Sequence, residues 1–170
     1  MNKLLLPALV ALFALPCRAD ELVLDWQYEE QDVVGWRLAW NGPLGWQKPD
    51  WLAGWQWRQE VAALHWVNVA DSDEELWGLV WTPLLNRRLY GGERLQLWLE
   101  LGIGLTLIDR TELRFRDLSS HYQFEDRLGL RLAFGERHAL ALRLYHYSNC
   151  NFETPNDGMD MLALGYHYRF

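Results

Sequence analysis

Cysteine is nearly absent from this chain: Cys17 and Cys150 are the only two in 170 residues. That pair gives no disulfide framework and no cysteine-rich zinc site. Uncharged apolar runs of about eighteen residues are missing after the leader described below, so no segment there predicts a transmembrane helix. Cations are scarce as well, with 16 Lys and Arg against 23 Asp and Glu and a net charge of −7. Nucleic-acid binding draws on clustered cations along a phosphate backbone, and this acidic balance argues against it.

The first nineteen residues stand apart. Lys3 gives a short positive start, Leu4 to Leu15 is apolar around Pro7, and Cys17-Arg18-Ala19 sets small residues at the −3 and −1 positions of a cleavage site. This pattern predicts a signal peptide over 1–19 and one domain over 20–170. Pro16 directly before Cys17 argues against a lipoprotein signal. Without Lys3 and Arg18 the balance is 14 basic to 23 acidic residues, a charge of −9, and Cys150 is the one cysteine left.

Tryptophan is what the chain has in excess, with eleven residues. Such richness suits a protein crossing two membrane–water interfaces, where indole rings sit at headgroup level. It equally suits a Trp-rich soluble sandwich core, and composition does not separate the two.

Period-two alternation decides more. Leu95, Leu97, Leu99, Leu101, Ile103, Leu105 and Leu107 share one parity, and Gln96, Trp98, Glu100, Gly102, Gly104 and Thr106 share the other. A helix would mix these sets on every face; a strand separates them. The pattern recurs over 127–134, 139–145 and 161–170, and more weakly over 36–40. Eight strands are expected, at roughly 21–30, 32–42, 51–67, 74–85, 93–108, 121–134, 137–149 and 160–170. Turns are expected at Asn41-Gly42-Pro43, Tyr90-Gly91-Gly92 and Gly135-Glu136. In a soluble sandwich the aliphatic face would point inward; in a membrane barrel it meets lipid and the polar set lines the interior. The leader, the aromatic final strand ending in Phe170 and the even strand number favour an eight-stranded antiparallel transmembrane β-barrel of the outer membrane. Arg127, Arg131, Arg143, Glu100 and Glu125 then form an internal ion-pair network. With both termini periplasmic, the link 150–159 is extracellular.

Beyond Leu144 the lipid-facing parity continues through His146 and Ser148. Two strand residues put their Cα atoms about 6.6 Å apart on one side, the spacing of a base and the hydroxyl it activates. Asp160 has the lipid-facing parity of Leu162 and Leu164 on the next antiparallel strand, so it should lie beside His146 and orient the imidazole. Polar groups aimed at hydrocarbon are costly, and a lipid substrate gives them a reason. The plainer reading leaves the pair wetted in the headgroup zone. Asn149, Asn156 and the backbone near Gly158 are candidate donors to an oxyanion. Glu153 is a second candidate acid in the loop, and Ca²⁺ ligation by Asp157 and Glu153 is a weaker reading.

His146-Tyr147-Ser148-Asn149, then Pro155-Asn156-Asp157-Gly158, an acid and an aromatic last strand resemble the lipid A 3-O-deacylase family (PagL). Phe124-Glu125-Asp126-Arg127-Leu128-Gly129 and Glu100-Leu101-Gly102-Ile103-Gly104 resemble its strands. The resemblance implies an eight-stranded barrel and hydrolysis of the ester at the 3 position of lipid A. It implies a Ser148–His146–acid triad, with no metal and no cofactor. The acid falls on Asp160, where the family usually has Glu. Lipopolysaccharide at the outer leaflet is the implied partner, and a homodimer stays open. Two other functions stay open beside hydrolysis: acyl transfer onto lipid A, and a structural or adhesive barrel. The length argues against a twelve-stranded phospholipase barrel, because residues 20–170 leave only about 12 per strand and turn against the roughly 9–11 needed to span.

Overall fold

The computed structural model describes residues 20–30 and 32–170, so the leader expected over 1–19 lies outside the described residues. The chain forms β1 (Glu21–Glu29), β2 (Val33–Pro43), β3 (Gln56–Asn68), β4 (Asp71–Gly91) and β5 (Leu95–Ile108). A small hairpin of β6 (Glu112–Leu113) and β7 (Arg116–Asp117) follows. Then come β8 (Tyr122–Phe134), β9 (His138–Ser148) and β10 (Met159–Arg169). Eight strands close in the order β1-β10-β9-β8-β5-β4-β3-β2, every pair antiparallel. This is the barrel expected from the alternation.

The register fixes the slant of the wall. From Ser148 it runs through Phe124, Leu105, Trp81, Val61 and Trp40. It closes through Leu22 and Tyr168 and returns to β9 at His138, ten residues from its start. Such a stagger goes with strands tilted by about 35–45°. An eleven-residue strand such as β9, at ~3.3 Å per residue and ~40° of tilt, rises about 28 Å. That matches a hydrocarbon core of roughly 30 Å.

Inward positions carry the charges. Arg127 donates to Glu60 (2.6 Å) and Glu125 (2.9 Å), and Arg37 pairs with Glu60 as well. Arg143 bonds Glu100 at 2.8 Å and pairs with Asp25. Arg131 reaches Glu100 at 2.9 Å. Tyr145 donates to Asp25 (2.7 Å) and Tyr147 to Glu125 (2.9 Å). All five residues expected in the internal network are there. Outward positions carry the aliphatics, with Leu128, Leu142, Leu144 and Leu164 half exposed or more.

Three local expectations shift. Asn41-Gly42-Pro43 belongs to β2 and is not a turn, because Asn41 is needed inside: its amide donates to Glu60 (3.3 Å) and accepts from Arg58 (2.6 Å). The connection falls later, over 44–55, and includes a 3-10 turn at Asp50–Leu52, so β3 starts at Gln56 and not at 51. Tyr90 and Gly91 likewise end β4, which is longer than expected. Gly135, at φ +69°, does turn the chain between β8 and β9.

Candidate active site

β9 and β10 set His146 and Asp160 side by side. Asp160 is the cross-strand partner of His146, and His146 Nδ1 lies 2.6 Å from Asp160 Oδ1. Both side chains are on the outer wall, 46% and 79% exposed. A carboxylate on Nδ1 leaves Nε2 as the basic nitrogen, the tautomer a general base requires. Among the described residues the His146 ring bonds no other group.

Ser148 ends β9 with the parity of His146 but is only 8% exposed. It pairs with Phe124, whose ring lies 6.3 Å from that of Phe152 in the following loop. No hydrogen bond joins Ser148 to His146 here, a common feature of hydrolytic sites without substrate.

The loop after Ser148 wraps back to the imidazole. Gly158 adopts φ +66°, and a Cβ there would sit 3.1 Å from His146 Cε1 and 3.8 Å from Nε2. Only glycine gives both the left-handed backbone and this close approach. The Asn149 backbone N–H donates to Asn156 Oδ1 at 3.2 Å. Asn149, expected to aim its amide at the reacting carbonyl, instead donates both N–H groups to the carbonyls of Leu118 and Glu153, each at 3.0 Å. Asn156 Nδ2 meets Asn151 Oδ1 at 3.2 Å. Glu153 is exposed in the loop.

The loop is braced from outside. Asp117 N–H donates to Asp157 Oδ2 (2.8 Å), Asp157 N–H donates to the Asp117 carbonyl (3.1 Å), and Ser119 Oγ donates to the Pro155 carbonyl. No periodicity marks this clamp in the sequence, since β6 and β7 are two residues each.

A groove of about 920 Å³ opens on the wall around His146. Ile103, Leu128, Leu144 and Leu162 make it apolar, and Asp126, Asp160 and Arg116 stand along it. On sequence grounds Asp126, next to the interior pair Glu125 and Arg127, has no catalytic part. It is the β8 partner of His146, so the imidazole has an acid-bearing neighbour on each side. A signal was present: Asp126 shares the lipid-facing parity of Leu128, Leu130 and Leu132.

The other histidines have structural partners. His65 stacks on Trp77 at 4.1 Å and meets Glu75 at 2.8 Å. His121 meets the Ile108 carbonyl and His138 the Tyr166 hydroxyl, and His167 lies inside beside Glu21.

A family model for lipid A 3-O-deacylase (PagL) matches residues 34–169. The lipid A deacylase PagL of Bordetella bronchiseptica is 31% identical over 109 residues, 64% of this chain and 59% of that protein. The protein of the same name from Pseudomonas aeruginosa is 34% identical over 77 residues, 45% of this chain and 44% of that protein. The matched stretches thus span less than two thirds of either relative. The crystal structure of the outer membrane enzyme PagL shares the fold, with a TM-score of 0.76 at 24% identity, covering 88% of this chain and 99% of that one.

Proposed function

We propose, from the premise that this outer-membrane β-barrel belongs to the lipid A 3-O-deacylase (PagL) family, that it hydrolyses the ester-linked 3-hydroxyacyl chain at the 3 position of lipid A. The site faces the outer leaflet. The observation that carries this reading is the 2.6 Å contact between His146 Nδ1 and Asp160 on the lipid-facing wall, one strand step from Ser148.

His146 Nε2 takes the Ser148 proton as Oγ attacks the ester carbonyl. The tetrahedral intermediate collapses, the sugar oxygen leaves with the proton from the imidazolium, and the acyl chain stays on Ser148. Water, deprotonated by His146, attacks the acyl-serine. The fatty acid departs and Oγ recovers its proton. Asp160 holds the Nδ1–H and stabilises the imidazolium. Asn156 and the backbone at Gly158 donate to the oxyanion, while Asn149 keeps the loop in shape. The apolar groove receives the acyl chain, and no metal or cofactor takes part.

Mass spectrometry of lipid A from cells expressing the protein tests this. Loss of one hydroxyacyl chain is expected; gain of a chain would indicate transfer, and no change would indicate a structural barrel. Ser148→Ala, folded in the outer membrane, should lose roughly 10⁴-fold or more in rate, the scale of disabling a triad. Retained deacylation in that variant would remove Ser148 as the nucleophile.

A further inference from the structure

The end of the barrel that carries Asp20 and Phe170 has one long connection, residues 44–55, beside the short turns 92–94 and 135–137. This segment is two-faced. Leu44 and Leu52 are 8% and 4% exposed and pack inward, while Trp46 and Trp51 are 64% and 79% exposed. Trp46 is edge-on to Trp81 on the outer wall, ring centroids 6.1 Å apart. The segment therefore lies against the outside of the barrel foot, at the level of one bilayer interface.

Its charges match that level. Lys48, the only lysine after residue 19, donates to the Trp55 carbonyl at 2.8 Å, and the Arg87 guanidinium sits 5.7 Å over the Trp55 ring. An ammonium has three donors, and one is used. With Arg94 these cations outnumber the adjacent Asp50 and Glu93. The opposite end is acidic on balance: its segments 30–32, 69–70, 109–121 and 149–158 carry seven Asp and Glu against the three arginines Arg110, Arg114 and Arg116.

We propose that the 44–55 segment is a phospholipid-binding surface that seats the barrel in the periplasmic leaflet. Trp46 and Trp51 enter the headgroup–acyl boundary, where indoles partition. Lys48 and Arg87 take the lipid phosphates, as cations near an anionic leaflet do. The occupant is phospholipid, the phosphate-bearing apolar partner that fits exposed indoles beside cations. The inference rests on the outer-membrane barrel and its orientation, and not on ester hydrolysis.

The test uses the full mature chain refolded into vesicles of phosphatidylethanolamine and phosphatidylglycerol, in a Cys150→Ser background. A bimane label is placed at Ala53→Cys or, for comparison, at Glu93→Cys in the neighbouring turn. At position 53, quenching by phospholipid nitroxides near the headgroup should dominate, and aqueous iodide should reach the label about threefold less than at position 93. Adding Trp46→Ala with Trp51→Ala should abolish that protection. Lys48→Glu with Arg87→Glu should cut the phosphatidylglycerol retained after detergent extraction, read by mass spectrometry, by at least about half. Equal iodide access at 53 and 93 in the unsubstituted segment would overturn the proposal and mark a surface open to a periplasmic protein. That comparison decides the matter even if the charge-reversed variant fails to fold. Unchanged lipid retention in a folded charge-reversed variant would overturn the phosphate contacts.

Discussion

Asp160 reaches His146 across one ladder step because the two residues are direct partners. At 2.6 Å the contact needs no extra methylene. Asp160→Glu lengthens the side chain on an open wall where 79% of the present one is exposed, so it can bend outward and keep the bond. That variant should retain deacylation within a few-fold. Asp160→Asn keeps the shape but removes the charge that, in the proposed mechanism, stabilises the imidazolium. A fall of about 10²–10⁴ is expected, the range for impaired acid–base catalysis, with barrel migration on unheated gels unchanged. Full activity in Asp160→Asn would leave Asp126, on the other flank of His146, as the acid to examine.

At the level of elements, legibility followed contrast between faces. β5, β8, β9 and β10 were readable because leucines alternate with charged or small residues, and the same parity carried His146, Ser148 and Asp160 to one wall. β3 and β4 blurred because both their faces are apolar: Leu64, Trp66, Leu76 and Val80 point inward opposite Val61 and Leu79 on the outer side. Pro43 misled for another reason. It sits at the very end of β2, where a missing N–H costs little. The clamp between Asp117 and Asp157 was unreadable, since contacts between two irregular loops leave no periodicity. That clamp carries its own prediction. Asp157→Ala removes the acceptor for the Asp117 N–H, a loss on the order of 1 kcal/mol, and loosens the Gly158 backbone against His146. Deacylation should drop about five- to tenfold with the barrel still fully folded, while Asp157→Asn, whose amide oxygen still accepts, should stay near the parent rate. Equal rates in all three would detach the clamp from the site.

For the whole molecule, eight strands leave an interior just wide enough for side chains to fill, and here the filling is ionic. Arg37, Glu60, Glu125 and Arg127 form one cluster, Asp25, Glu100, Arg131 and Arg143 another, and Arg37 joins the two at 4.0 Å from Asp25. Burying these charges is costly, and each is tolerable only because its partners are in place. The lumen is therefore a plug and not a path, so purified protein in planar bilayers should give no unitary current steps. The same logic fixes the sign of a core substitution. Arg143→Ala strips the guanidinium that serves both Asp25 and Glu100 and leaves two buried carboxylates short of a partner. Unfolding by urea in lipid vesicles should show a loss of about 3–5 kcal/mol, the scale for breaking a buried pair from one side. Restoring charge balance by adding Asp25→Asn to Arg143→Ala should recover part of it. Arg143 lies inside the wall and His146 outside, so the folded fraction of Arg143→Ala should deacylate at the parent rate per molecule. A rate that fell in that folded fraction would mean that the lumen network sets the position of His146 through β9.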